Sequence, residues 1–447
     1  MGQHDATGPQ CLGGEQRILA AEAGLHEGRV ITLFGWAYRV RRMGALTFVL
    51  LRDRSGIIQV VFDRSAGAGC DAVDEVGVED AITVTGAVRA EARAQGGFEL
   101  VGAGLRVISR AATLPFEINL PQLKVGQDLA LDHRVLSLRH PRSQAVFRIK
   151  AAIIQAFRDF SVRHGFIEVQ TPKIVATATE GGANLFPVDY LGRRAYLAQS
   201  PQFYKQMLVL SGFERVFEVG PVYRAEPHNT SRHINEFTSL DWEVGWISGA
   251  TEVMDLEEAM LRELVAKLRA EHAADLAVLG VDLETRMPAL GGRIPRMALS
   301  DAQQLLAQRH GKQLPPGDLD PEGERLLCEA LGGAVFVTDY PVETRPAYAY
   351  PHPDRPALTD SFDLLMGGIE VTTGGRRLSE RAALEASLVA RGLDPQAFAY
   401  YVESFGYGSP PHGGLAIGAE RLTVALLGLG NLREATFFPR DIDRLTP

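Results

Sequence analysis

Between Arg29 and about Arg110 the hydrophobic positions fall in short runs at 30–38, 46–52, 57–62, 81–89 and 98–109, rich in Val, Ile and Phe and bounded by Gly or Asp. This pattern predicts five strands, and Asp53-Arg54-Ser55-Gly56 predicts a hairpin turn between two of them. Five strands in so short a stretch suit a small closed β barrel of the OB type; an open β sandwich is the alternative. Residues 1–28 read as an N-terminal extension with a short helix over 16–23. Residues 111–140 carry Leu114-Pro115 and Leu120-Pro121 with little periodicity, which predicts a linker.

From residue 141 the period changes. Val146, Ile149, Ile153, Phe157 and Phe160 recur at helical spacing, with Gly165 placed as a stop. A strand is predicted over 166–171, ended by Pro172. Strands and helices then mix without regular βαβ alternation, which favours an α+β domain around an antiparallel sheet over 141–447. Residues 251–330 read as a helical insert, with 15 acidic against 9 basic residues.

Composition narrows the function classes. The chain has 447 residues, with 46 Lys and Arg against 55 Asp and Glu, a net charge of −9. That balance argues against a passive nucleic-acid coat. It is uneven, however: from Arg29 to Arg54 six arginines face the single acid Asp53. Cys11, Cys70 and Cys328 are far apart, so neither a disulfide framework nor a zinc site is predicted. No apolar run approaches the roughly 18 residues of a membrane span, and no signal-like stretch opens the chain. The expectation is a soluble cytoplasmic protein with no membrane partner.

Three segments carry candidate chemistry. The first is 217–226 followed by 235–243, read as strand, loop, strand. On a strand alternate residues share a face, which groups Arg224 with Glu226, and Phe237 with Ser239, Asp241 and Glu243. So many charges are costly to bury unless a charged ligand binds there, and the loop adds Arg232 and His233 as donors suited to phosphates. A solvated hairpin with surface ion pairs is the bland alternative. The second is 361–370, where the Gly367-Gly368 turn would bring Asp363 near Glu370. Two carboxylates suit Mg2+ when nucleotide phosphates complete its shell, although a surface pair on a hairpin would read the same. Thr373 and the fork-shaped donor Arg377 follow. In the third, His412 to Leu422, a Gly-rich strand runs into an apolar helix through Gly418 and Arg421, a weak phosphate signal by itself.

In this order the segments resemble the second and third signature motifs of the class II aminoacyl-tRNA synthetases, and the helix and strand ending at Pro172 resemble the first, dimer-forming motif. The preceding barrel narrows the resemblance to the aspartate, asparagine and lysine group. Ala178-Thr179-Glu180-Gly181-Gly182, Ser200-Pro201-Gln202-Phe203-Tyr204-Lys205-Gln206 and the terminal Phe438-Pro439-Arg440 to Pro447 are similar to compact archaeal-type aspartyl-tRNA synthetases. The resemblance spans about residues 29–447.

It implies a role for each matching position. Arg224 would hold the ATP α-phosphate and the substrate carboxylate, Glu226 the adenine amino group, and Phe237 would stack on the base. Arg232, His233, Gly418 and Arg421 would hold the bent triphosphate, and Asp363 and Glu370 would carry Mg2+ with Thr373 beside them. Gln202 and Asp241 would orient the aspartate α-amino group, and Glu180 lies in a loop that would close over it. Lys205 and Arg377, two cations facing one side chain, would select a carboxylate over an amide. In the barrel, Phe48, Gln59 and Glu99 match anticodon-reading positions; a core aromatic is the alternative for Phe48. A homodimer is implied.

The chain departs from the pattern at four positions. Tyr38 stands where strictly aspartate-specific relatives tend to have Trp and relaxed relatives tend to have His, and Gln95 replaces a lysine linked to tRNA discrimination. Arg376 and Ala347 replace Gln and Phe. The first two imply a non-discriminating enzyme that charges tRNA(Asp) and tRNA(Asn). The alternatives are a strictly discriminating enzyme, an asparagine ligase and a silent tRNA-binding paralogue.

Overall fold

The computed structural model describes residues 17–66, 71–177 and 184–447, in two compact units, Met1–Val125 and Gly126–Pro447. Glu180, Cys11 and Cys70 lie outside the described residues.

In the first unit β1 (Val30–Met43), β2 (Leu46–Arg52), β3 (Ile57–Asp63), β4 (Ala81–Ala90) and β5 (Phe98–Ser109) close into a barrel in the order β1-β2-β3-β5-β4. The period-2 pattern works as expected: Leu33, Val49, Leu51, Val60, Ile82, Val84 and Leu100 point inward and are fully buried. Closure also needs a gap in the pattern. A Cβ on Gly102 would meet the Phe62 ring at 2.4 Å, so the glycine lets that ring fill the barrel. The Asp53 turn is present, with Asp53 N–H donating to the Gly56 carbonyl at 3.0 Å. Its carboxylate also accepts from Ala20 N at 2.8 Å, and Ser55 accepts from Ala21 N at 3.0 Å. Those two bonds set the start of the N-terminal helix, which is a 3-10 helix over Ala20–His26 rather than a helix over 16–23.

In the second unit the strands in chain order are β6 (Ile167–Glu168), β7 (Ile174–Val175), β8 (Pro187–Tyr190), β9 (Arg193–Leu197), β10 (Arg215–Tyr223), β11 (Glu236–Gly245), β12 (Arg296–Ala298), β13 (Ala334–Thr338), β14 (Pro351–His352), β15 (Arg355–Thr359), β16 (Ser361–Met366), β17 (Ile369–Arg376) and β18 (His412–Gly418). Eight of them form one sheet, β12-β13-β16-β17-β18-β11-β10-β6, antiparallel except at its two ends. The helix Pro141–Arg163 lays Val146, Ile149, Ile153, Phe157 and Phe160 on it. Trp242 of β11 stacks on Phe157 at 5.0 Å and donates its Nε1–H to Ser161 at 2.7 Å, which satisfies its polar edge inside the core.

Two expectations are corrected. The strand predicted over 166–171 shrinks to β6, because Thr171 leaves the ladder to donate its N–H and hydroxyl to the Glu218 carboxylate at 3.1 and 2.7 Å. The stretch read as linker carries helices Gln127–Asp132 and Arg134–Ser137. Their anchor is a buried arginine rather than an apolar stripe: Arg134 donates to the carbonyls of Arg433, Thr436 and Phe437. The segment 251–330, read as a helical insert, is largely helical and packs on the core. Its first helix, Ala250–Glu271, buries Val253, Met254, Leu261, Leu264 and Leu268 there, and β12 edges the main sheet. Among the described residues no helix is long and apolar enough to cross a membrane.

Candidate active site

Strands β10, β11, β17 and β18 are neighbours, so the three segments singled out in sequence converge on one face. They border an open cavity lined by Arg224, Glu226, Arg232, His233, Phe237, Glu370, Thr373, Gly418 and Arg421. Nine of the predicted positions meet here, along with Ser239 and Gln199, which carried no assigned role. Arg224 follows the last residue of β10 and lies in the loop rather than on the strand face, its N–H donating to Asn235 O at 2.9 Å. Its guanidinium carbon sits 5.6 Å from the centre of the Phe237 ring, and Glu226 is 3.9 Å away. Glu226 also faces His233 at 3.7 Å; burial lowers the His233 pKa, Glu226 opposes the fall, and Arg421 and His228 add to it.

The hairpin of β16 and β17 places Asp363 opposite Thr373, with an irregularity at Leu364/Leu365 that brings Glu370 round to the same side. Thr373 donates to Glu370 Oε1 at 3.1 Å, and Arg421 Nη1 donates to the Glu370 carbonyl at 3.0 Å. Asp363 is buried, and its Oδ2 accepts from Arg345 at 2.7 Å while Oδ1 has no hydrogen-bond partner. Burial raises the Asp363 pKa; Glu370 adds to the rise and Arg345 opposes it. Burial works the same way on Glu370, but Arg421 and Arg345 outweigh it and its pKa falls. A buried carboxylate oxygen without a donor, next to a second carboxylate, is a donor set that fits a hard divalent cation. Arg345 carried no role in the sequence reading.

Behind the cavity lies a fully buried ionic cluster. Lys205 Nζ donates to Asp241 Oδ1 and to the Leu415 carbonyl, both at 2.9 Å, and lies 3.4 Å from Glu243 Oε2. Arg377 Nε donates to Glu243 Oε1 at 3.0 Å, and Gln202 bridges Glu243 and Arg377 at 3.4 Å each. Two cations therefore face two internal carboxylates. Burial works to raise the Glu243 pKa, yet Arg377 and Lys205 hold it below the ordinary carboxylate range. His412 beside it is pushed down by burial, against the pull of Glu243, and adds no charge at neutral pH. Close strand approach makes room: a Cβ on Gly414, opposite Glu243 in the register, would lie 2.1 Å from the Trp242 carbonyl. Ser239 joins the two regions, lining the cavity while donating to Asp241. Glu243 appeared in the sequence reading only as one residue of a face; its pairing with a residue 134 positions away has no local signature.

On the barrel, Phe48 and Gln59 turn away from the core, whose inward positions on the same strands are Thr47, Val49, Ile58 and Val60. Gln59 donates to Glu99 at 2.7 Å, and Glu99 also receives Arg89. Phe48 and Gln59 thus face outward and Phe48 is not a core aromatic, whereas Glu99 is buried and held by Gln59 and Arg89. Gln95 is exposed in a 3-10 turn, Gln95–Gly97. Tyr38 is 8% exposed and packs its ring 5.4 Å from the guanidinium of Arg52, which is locked to Glu79 by a buried fork of two hydrogen bonds.

Comparison with known proteins agrees with both units. Residues 126–442 match the model for tRNA synthetases class II (D, K and N), and residues 31–108 match the OB-fold nucleic acid binding domain. The chain is 44% identical over 425 residues to an aspartate–tRNA(Asp/Asn) ligase of Archaeoglobus fulgidus, covering 94% of this chain and 97% of that one. It is 40% identical over 430 residues to an aspartate–tRNA(Asp) ligase of Pyrococcus abyssi, with the same coverage. Among solved structures, asparaginyl-tRNA synthetase from Pyrococcus horikoshii complexed with asparaginyl-adenylate superposes with a TM-score of 0.89 at 31% identity, over 95% of this chain and 97% of that one. Aspartyl tRNA synthetase from Entamoeba histolytica gives 0.86 at 28%, over 100% and 96%. With its barrel, its antiparallel sheet and the site they carry, the chain belongs to the class II tRNA synthetases of the D, K and N group.

Proposed function

We propose that the chain is an aspartate–tRNA ligase. It joins L-aspartate to ATP as aspartyl-adenylate, releasing pyrophosphate, and transfers aspartate to tRNA(Asp) and tRNA(Asn). The observation that carries the amino-acid choice is the balanced cluster of Lys205, Arg377, Asp241 and Glu243. A substrate α-ammonium arriving at Asp241 takes over the partner of Lys205. Lys205 then needs a new anion, which the side-chain carboxylate of aspartate supplies, while Glu243 stays with Arg377. Asparagine would bring the ammonium without the anion, leaving Lys205 only its 3.4 Å contact with a Glu243 that Arg377 already shares, a penalty large enough for strong rejection.

Arg224 at the cavity edge stabilises charge on the α-phosphate as the mixed anhydride forms, and Arg232, His233 and Arg421 hold the leaving pyrophosphate. Asp363, Glu370 and Thr373 would hold Mg2+, which supplies charge neutralisation to the triphosphate. The outward-facing Phe48 and Gln59, the latter held by the buried Glu99, offer a stacking ring and a polar partner for an unstacked anticodon base. The protein acts as a homodimer.

Aspartate-dependent ATP–pyrophosphate exchange tests the first step, and asparagine should support none. Exchange with asparagine alone would overturn the assignment. Charging of unmodified tRNA(Asn) transcript with aspartate tests the second. The exposed Gln95, Tyr38 in place of Trp and the 44% identity to a ligase named for both tRNAs support dual acceptance. No tRNA(Asn) charging at high enzyme concentration would sink that part.

A further inference from the structure

Arg232 leaves the loop between β10 and β11 and ends on groups from two other elements. Its Nη2 donates to the Glu324 carboxylate and, at 2.7 Å, to the Gly368 carbonyl. Glu324 belongs to the helix Pro321–Ala330, 92 positions away in sequence, and only 14% of its side chain is exposed. Burial pushes its pKa up to about 7, with Glu370 adding to the rise and Arg232 and Arg421 opposing it. The pair borders a second cavity that Arg286 also lines and that shares Arg232, His233, Glu370 and Arg421 with the first.

A buried carboxylate beside the bed of a polyanion is unfavourable by simple Coulomb repulsion. It becomes useful if it holds the cation that the polyanion needs. The guanidinium is a rigid plane with five donors. With Nη2 committed to Glu324 and Gly368, its rotation is fixed and the Nε and Nη1 donors keep one direction. An arginine on a loop otherwise loses considerable side-chain entropy when it grips a ligand.

We infer that Glu324 is a positioning residue for the triphosphate: it anchors Arg232 so that the free edge of the guanidinium faces the phosphates farthest from the adenosine. The inference rests on the proposed use of ATP and adds to it a residue outside the three signature segments.

The test is equilibrium binding of ATP with Mg2+, without amino acid, at pH 8, to the wild type, E324Q, E324A, R232A and E324A/R232A. Each single variant should weaken ATP binding by about tenfold, the scale of one charge-assisted contact. The double variant should bind no more weakly than R232A, and the KM for aspartate in pyrophosphate exchange should stay at the wild-type value. Wild-type or tighter ATP binding by E324A would overturn the inference. So would independent, multiplying losses in the double variant, which would mean that Glu324 acts other than through Arg232. A wild type that binds ATP but shows no aspartate-dependent exchange would defeat the functional reading alone, whereas a wild type that binds no ATP would defeat both.

Discussion

Replacing Lys205 by alanine should reduce kcat/KM for aspartate-dependent pyrophosphate exchange by about 10²–10³-fold and lower the melting temperature in the same protein. The scale follows from removing one member of a buried ionic network, about 3–5 kcal/mol, converted at about 1.4 kcal/mol per tenfold. Lys205 is 1% exposed and all three of its ammonium donors have partners within 3.4 Å. Without it Asp241 and Glu243 share only Arg377, the cluster turns net negative, and a substrate carboxylate meets like charge in a desolvated space. ATP binding measured alongside separates lost chemistry from lost fold, because the arginines proposed to hold the triphosphate lie in the other region of the site. A folded Lys205→Ala protein that keeps exchange within about tenfold of wild type would refute the charge-exchange account of aspartate selection.

Why one half of this site could be read from sequence and the other could not comes down to distance along the chain. Arg224, Glu226, Arg232, His233 and Phe237 sit within 14 residues, and Asp363, Glu370, Thr373 and Arg377 within 15, so their types and spacing were visible together. The partners that decide their states came from elsewhere: Glu324 for Arg232, Arg345 for Asp363, Glu243 for Arg377. From sequence, Lys205 and Arg377 counted as two cations waiting for a ligand. In the fold each already has an internal carboxylate, so the proposed specificity is an exchange of partners rather than the filling of an empty charge.

The fold divides in the same way. The barrel strands were legible because burial there alternates with period 2, and 46–52 and 98–109 coincide with β2 and β5. The helices at Gln127–Asp132 and Arg134–Ser137 were not, since an arginine bound to three carbonyls leaves no apolar stripe to detect. The acidic balance of 251–330 carries no information about its packing: the buried side of its first helix belongs to the main core.

That helix also holds the residue with the largest expected effect on stability. Glu257 is completely buried, receives the Thr372 hydroxyl on Oε1 at 2.6 Å, and leaves Oε2 without a partner. Burial pushes its pKa up from 4.5 to about 8, with the Thr372 bond pulling only slightly the other way. The folded protein therefore keeps a proton that the unfolded chain has lost. Stability contributed by the neutral form is intact below about pH 4.5, declines as pH rises through the window up to about 8, and is lost above it. Integrated over that window, the group's contribution falls by up to about 5 kcal/mol. Glu257→Gln keeps the acceptor for Thr372 and cannot ionise. The variant should match the wild type near pH 5 and exceed it at pH 8.5, by roughly 5–10 °C in Tm. Tm measured against pH for both proteins checks this. Parallel curves across pH 5–8.5 would show that Glu257 does not titrate in the fold. A variant less stable at every pH would mean that the second oxygen has a partner the carboxylate needs. The site would feel the outcome, because Thr372 adjoins Thr373, and an ionised Glu257 would add a buried negative charge behind the strand that carries Glu370.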